Sequence, residues 1–207
     1  HVVEEELPKG VLSREQAAFD RTYRRYALPP DDMSPLTCPG LGDALVCADS
    51  DEHDEEGRIT EDLALRIRMV DKRRGKNKLL DRDRVMPTYK GDLHADYVVV
   101  SWGSNKPVVE EAVANLVRGG IRMASLHFSQ VYPLSENMVA PYGLASKILI
   151  CVENNAGGQF AGLLKRETGI TVSHAVLKYN GECFTVEELC SRIKSFISQG
   201  QGHDKKR

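Results

Sequence analysis

The sequence predicts a three-layer α/β/α fold on a mostly parallel sheet, preceded by an extended N-terminal arm. Three observations carry this. Short apolar runs, rich in β-branched residues, recur at 97–102, 121–128, 148–152 and 171–177 and read as strands. Stretches with apolar residues three and four apart lie between and after them, as amphipathic helices do. The links are short, and strands alternating with helices over short links form parallel sheets with helices on both faces.

Taken in order, residues 1–93 read as an arm and linker with helices. Ser13-x-x-Gln16 is a capping box, so a helix is expected from Arg14 through Ala17, Ala18 and Tyr23, with Pro29-Pro30 ending it. Residues 29–42 hold four prolines and two glycines and are expected to run extended. Ala44 to Ala48 is an apolar run that could be an edge strand. The acidic stretch 49–57, DSDEHDEEG, offers Asp49, Asp51, His53 and Asp54 as metal ligands. It lacks the glycine and glutamate positions of a calcium loop and reads instead as solvated. Thr60 is placed to cap a helix over about 61–74, with Leu63, Ile67 and Val70 as its apolar stripe. The acidic start and basic end of that helix suit its dipole, and its cations could also dock an acidic partner. Residues 75–92 read as a polar connector.

The α/β domain is expected over 94–198. Tyr97–Trp102 is a strand, Gly103-Ser104-Asn105 its turn, and Pro107 lies in the first turn of a helix, where its missing N–H costs nothing. Val109, Val113, Leu116 and Val117 form that helix's stripe, and Gly119-Gly120 stops it. The strand 121–128 follows, then a longer connection, 129–141. At the centre stands KILICVENNAGGQFAG, residues 147–162. Its apolar run breaks at Glu153-Asn154-Asn155, Ala156-Gly157-Gly158 turns, and Gln159 opens a helix carrying Phe160, Leu163 and Leu164 on one face. Free N–H groups at that helix start would welcome an anion or a neighbouring carboxylate. Glu153 could act as acid or base there, or cap the adjoining backbone. After the strand 171–177, Thr185 to Glu188 cap a last helix from Val186, with Leu189, Ile193, Phe196 and Ile197 buried. Residues 199–207 read as a disordered tail.

Bulk properties exclude several classes. The 207 residues carry a net charge of −2, with 41% hydrophobic and 28% charged residues, which gives no support for nucleic-acid binding. No apolar run approaches the roughly 20 residues that cross a bilayer, and no signal peptide is legible at the start, so no membrane partner is expected. Five cysteines without a CxxC spacing suit a reducing, cytoplasmic setting. The chain opens on His1 rather than methionine, which is expected of a fragment or a processed chain. The GxGxxG, Walker and GxSxG signatures are absent, and no histidine pair has metal spacing. His127 and His174, inside strands, read as structural. The loops that should meet at the carboxyl ends of the strands contain Trp102, Tyr132, Glu153, Asn154, Asn155 and Gln159.

Four blocks carry a family resemblance: YALPPDDMSPLTCPG at 26–40, SDEHDEEGRITEDLALRIRMVDKR at 50–73, LHFSQVYPL at 126–134, and VENNAGGQFAGLLKRETG at 152–169. Together they resemble the alpha subunit of 2-oxoacid:ferredoxin oxidoreductases, nearest the 2-oxoglutarate type, in its core domain II. The ENNAGGQF turn is also similar to that of the transketolase C-terminal domain. The resemblance implies an enzyme that oxidatively decarboxylates a 2-oxoacid to an acyl-CoA and passes electrons to ferredoxin, using thiamine diphosphate, magnesium and iron–sulfur clusters. It implies the remainder of the alpha subunit and a beta subunit as partners. The YPITP-like motif of the thiamine-pyrimidine domain and the cluster-ligating cysteine pattern are absent here. By resemblance, this piece therefore holds no catalytic residue and binds no cofactor alone. Interface or anion-contact roles fall on Arg25, Tyr26, Glu153, Asn154, Asn155, Gly157, Gly158 and Gln159. Two other readings stand beside it: the equivalent domain of another thiamine enzyme, or a free anion- or nucleotide-binding module using the Gly157-Gly158 turn.

Overall fold

The computed structural model describes residues 23–37, 40 and 45–204. The expected capping box at Ser13 and the helix from Arg14 lie outside the described residues. The chain divides into two compact units, residues 1–83 and 84–207.

In the first unit, helix α1 spans Leu63–Leu80. Asp62 caps it, accepting from the Ala64 and Leu65 N–H groups at 2.8 and 3.1 Å. The expected cap, Thr60, instead accepts from the Asp62 N–H at 3.2 Å, fixing the residue that does the capping. The helix therefore continues well past 74. The helix runs through Gly75, whose bare face lies against Asp32; a Cβ there would overlap the Asp32 carboxylate. The apolar stripe is corrected too. Leu65, Met69 and Lys72 face inward, whereas Leu63 and Ile67 are 74% and 63% exposed. Residues 45–48 form no strand, and Leu45 is exposed.

Among its described residues, this unit is tied together by ionic and polar contacts, with Leu65 and Met69 its buried large apolar side chains. Lys72 is buried among the chain segment at 26–34. Its Nζ donates to the Tyr26 and Ala27 carbonyls at 2.9 and 2.5 Å and to Ser34 Oγ at 2.5 Å. The stretch read as a solvated acidic loop is clamped. Glu52 accepts two bonds from the Arg73 guanidinium, at 2.9 and 2.8 Å, and lies 3.5 Å from Arg66. The Arg73 bonds hold the Glu52 carboxyl below its usual range. Asp54 Oδ1 accepts from the Glu56 and Arg58 N–H groups, and Glu55 accepts from the Leu28 N–H. Carboxylates spent on arginines and backbone are structural ties, and among the described residues no group of three or more His, Cys, Asp or Glu side chains is placed for a metal.

Burial, with smaller contributions from Lys76 and Arg25, lowers the Lys72 ammonium to about 8. The unfolded chain keeps that proton to about pH 10.4. Between these values the unfolded state binds more protons, so this group's contribution to stability rises as pH rises from 8 to 10. Urea titrations of the wild type and Lys72→Met across that range should show the difference between them growing in favour of the wild type. Lys72→Met should also lower stability near neutrality by about 2 kcal/mol, since it leaves three acceptors without their donor.

The second unit is a five-stranded sheet: β1 Thr88–Lys90, β2 Tyr97–Trp102, β3 Met123–Phe128, β4 Ile148–Glu153 and β5 His174–Leu177, in the order β1-β3-β2-β4-β5. All neighbours are parallel except β1, which pairs antiparallel with β3. The three-layer, mostly parallel architecture expected from the sequence is the one observed. The connector reading of 75–92 is corrected at β1. Its three residues are too few to show an alternating pattern and are recruited by backbone pairing. β3 and β5 start two and three residues later than expected, at Met123 and His174.

Helices cover both faces, and alternation along the strands decides which side chain goes where. Helix α2, Lys106–Arg118, and helix α5, Val186–Asp204, pack Val109, Ala112, Leu116, Leu189 and Ile193 against Val99, Ile150, Val152 and Val176. In α2 the expected Val117 is exposed, and Ala112 takes the inward place. A short helix α3, Glu136–Val139, and helix α4, Gln159–Thr168, pack Met138, Val139, Phe160 and Leu164 against Val98, Val100, Phe128 and Leu149. The last helix extends to Asp204, into the stretch expected to be a tail, while residues 205–207 lie outside the described residues. The connection after β2 covers one face and that after β4 the other, so the sheet's switch point lies between these two central strands.

Candidate functional site

At that switch point, the ends of β2 and β4 place Trp102 and Glu153 at the mouth of the sheet. Glu153 is fully buried. A bare carboxylate there would be costly, but this one is saturated. Its Oε2 accepts from the Asn155 amide and the Phe160 backbone N–H, both at 2.8 Å. Its Oε1 accepts from the Ala161 N–H at 2.9 Å and the Cys151 thiol at 3.4 Å. Burial pushes the Glu153 carboxyl up. The bonds from Phe160, Asn155, Ala161 and Cys151 together outweigh that and hold it below the usual carboxylate range. The same surroundings, burial first, push the Cys151 thiol up, which keeps it an unreactive thiol.

The rest of the turn is organised by Asn155. Its Oδ1 accepts from the Gly157 and Gln159 N–H groups at 3.1 and 3.2 Å. Gly158 stands at the helix N-cap with φ +59°, a left-handed conformation that glycine adopts without strain. The N–H groups of Gly157, Gln159, Phe160 and Ala161, which an incoming anion would need, are thus already engaged by side chains of this same turn. Asn154 lies exposed, its amide 3.5 Å from the Glu182 carbonyl, and the Gln159 side chain is exposed. The backbone-capping role is therefore the one Glu153 fills.

Nearby, Ser101 Oγ and His127 Nδ1 lie 3.0 Å apart in adjacent strands, both buried. Burial, with a smaller contribution from Lys106, lowers the His127 imidazole, so it is neutral near pH 7. The sequence reads His127 as structural and places it in the 126–134 block, but nothing there pairs it with Ser101. His174 stacks on Phe196, with ring centres 4.3 Å apart. Trp102 packs near Phe160, and its buried Nε1–H finds no acceptor among the described residues. In the first unit, Arg25 lies over the Tyr26 ring at 5.2 Å, and Tyr26 packs against His53 with centroids 4.0 Å apart.

The described residues do not fit the groups that the resemblance brings with it. The four described cysteines are scattered, two exposed, one buried and one between, and form no cluster for iron and sulfur. Four of the turn's N–H groups that could face a diphosphate, those of Gly157, Gln159, Phe160 and Ala161, are occupied from within. No described helix is long and apolar enough to cross a membrane.

Fold and site define a class: a doubly covered, mostly parallel α/β domain whose strand-end helix is capped by its own carboxylate. No family model matches the chain. It is 30% identical over 210 residues to the alpha subunit of a 2-oxoacid:ferredoxin oxidoreductase from Saccharolobus solfataricus, covering 94% of this chain and 33% of that protein. It is 32% identical over 182 residues to the alpha subunit of 2-oxoacid:ferredoxin oxidoreductase 2 from Aeropyrum pernix, covering 86% of this chain and 28% of that one. The solved structure of a 2-oxoglutarate:ferredoxin oxidoreductase from Magnetococcus marinus, with 2-oxoglutarate, coenzyme A and succinyl-CoA bound, matches with a TM-score of 0.68 at 28% identity. That match covers 87% of this chain and 32% of the solved one. The chain is therefore related, over nearly its whole length, to 2-oxoacid:ferredoxin oxidoreductase alpha subunits, as the four sequence blocks indicate. It spans about a third of the length of these relatives.

Proposed function

We propose that this chain is a structural and assembly piece of a 2-oxoacid:ferredoxin oxidoreductase, of the 2-oxoglutarate type, working in the cytoplasm. The whole enzyme would decarboxylate the 2-oxoacid, pass the acyl group to coenzyme A and deliver the electrons to ferredoxin. Thiamine diphosphate, magnesium and the iron–sulfur clusters would sit on the remainder of the alpha subunit and on a beta subunit. One observation supports this reading above the others: the strand-end turn, where such sheets take a ligand, is closed by Glu153 and Asn155 of the chain itself. A turn sealed from within can present a rigid surface but has little left with which to hold an anion. The exposed Asn154 and Gln159, the Gly157-Gly158 backbone, and Arg25 with Tyr26 are then contacts to neighbouring cofactor-bearing parts.

The test is to replace Asn154 and Gln159 together by alanine in the assembled oxidoreductase. Loss of two polar interface contacts should weaken assembly about fivefold, or roughly 1 kcal/mol, without changing the melting of the chain. Unchanged assembly and unchanged turnover would remove the turn from the interface. Turnover of 2-oxoglutarate by this chain alone would overturn the proposal.

A further inference from the structure

Helix α1 of the first unit is turned the wrong way round for a helix that serves only its own core. Its inward side holds Leu65, Met69 and the lysine Lys72. Its outward side carries Leu63 and Ile67 at 74% and 63% exposure, with the half-buried Val70 beside them. One and two turns beyond Val70 on the same ridge stand Arg74 and Lys78, with the carboxylate of Asp71 at its edge; all three are exposed. Spacings of three and four residues place 63, 67, 70, 74 and 78 on one stripe. Charge separates the two sides as well. Arg66 and Arg73 are spent on Glu52, whereas Arg68, Arg74 and Lys78 pair with no carboxylate among the described residues. The ridge thus reads as two aliphatic anchors followed by two cations that outnumber the one carboxylate beside them, Asp71. An aliphatic stripe at this spacing matches the way an amphipathic helix seats in an apolar groove. Exposed arginines and lysines without internal partners add charge complementarity toward carboxylates.

We propose that the outward ridge of α1 is a docking face for a part of the assembled oxidoreductase that lies outside this chain, a protein surface with an apolar groove bordered by Asp and Glu side chains. The proposal rests on the reading above that the chain works inside a larger enzyme, and the relatives' threefold greater length leaves room for such a surface. Leu63 and Ile67 enter the groove, and Arg74 and Lys78 lie along its acidic border. Lys72, on the opposite side, holds the helix so that the ridge stays outward.

The experiment is maleimide labelling of Ile67→Cys, read peptide by peptide by mass spectrometry, in the chain alone and in the assembled oxidoreductase. Tyr179→Cys, at the exposed Tyr179 of the second unit, serves as the reference. Labelling of position 67 should be fast in the chain alone and at least tenfold slower in the assembly, relative to the reference. Arg74→Glu with Lys78→Glu should weaken assembly tenfold or more in low salt, and the loss should shrink at high salt. Equal labelling of position 67 in an assembly that forms normally would overturn this inference and leave the assembly role intact. Slow labelling in the chain alone, with a dimer by light scattering, would give the face to a second copy and overturn it too. An assembly indifferent to the charge reversal would remove the acidic partner. If no assembly forms with wild-type chain, the proposed function falls first and this inference with it.

Discussion

Glu153→Ala should lower the stability of the sheet unit by about 3 kcal/mol, because it leaves two buried donors and two half-buried ones with nothing to donate to. The Phe160 and Ala161 N–H groups lie in the first turn of α4, and the Asn155 amide and Cys151 thiol point at the same two oxygens. Loss of a helix cap alone costs about 1 kcal/mol; the excess here comes from burial, since water cannot reach the Phe160 N–H or the Cys151 thiol. Glu153→Gln is the informative partner. It keeps the shape and one acceptor but turns an NH2 toward a donor, so its cost should fall between wild type and alanine. Urea denaturation at neutral pH, followed by the signal of the single tryptophan, Trp102, measures both. If the two variants unfold at the wild-type midpoint, the carboxylate does not hold the turn.

The same carboxylate sets a pH dependence, with the sign of a depressed acid. Its folded-state value lies below the ordinary one, so the folded state releases the proton more readily than the unfolded state. Its contribution is therefore complete above the ordinary carboxylate range and is lost as pH falls through the lowered folded value. Glu52, Asp54 and Glu188 are lowered as well, and contribute in the same acid window. Wild type minus Glu153→Gln isolates the Glu153 share: the gap should begin to narrow below about pH 4, where the unfolded chain takes the proton, and close only once the folded carboxylate takes it too.

The sheet unit was legible because periodicity, turn chemistry and burial agree there. Tyr97–Trp102 matches its expected bounds, the strand from Ile148 runs one residue beyond them, and the helices starting near Lys106, Gln159 and Val186 are the expected ones. Glu153 was legible as an alternative: a carboxylate between an apolar strand and a glycine turn is placed to cap the next helix. The Ser101–His127 pair was not, because it joins residues 26 apart through strand register. The first unit was misread for a physical reason. Helix pattern rules assume that the apolar stripe faces the core, yet α1 turns Leu63 and Ile67 outward and buries Lys72 instead. Its fold depends on long-range polar ties, Glu52 to Arg73 and Lys72 to the Tyr26 and Ala27 carbonyls, that leave no period in the sequence.

Gly57→Ala should be the most damaging glycine-to-alanine change among the described residues of the first unit. Gly57 closes the acidic stretch with φ +91°, a conformation that costs an L-residue about 1–2 kcal/mol by itself. A Cβ there would overlap the Cys47 carbonyl oxygen, with the carbonyl carbon at 2.8 Å and Tyr26 Cε2 at 3.0 Å. The obstacle is mostly backbone, so no rotamer change relieves it, and the 47–57 segment must shift. That shift pulls on two further ties, the Asp49 N–H donating to the Gly57 carbonyl at 3.3 Å and the Gly57 N–H donating to the Asp54 carbonyl at 3.1 Å. Strain and overpacking together put the cost at about 3–5 kcal/mol. Gly40→Ala is the control. Gly40 also has positive φ, at +78°, but a Cβ there meets nothing within 4 Å among the described residues, so only the conformational part should appear, about 1 kcal/mol. Limited proteolysis of the two variants separates them: Gly57→Ala should be cleaved in the 45–60 region while the sheet unit stays intact. Equal resistance of both variants would mean that the 47–57 segment gives way without cost, and the close approach of Gly57 to Cys47 would not be a constraint on the fold.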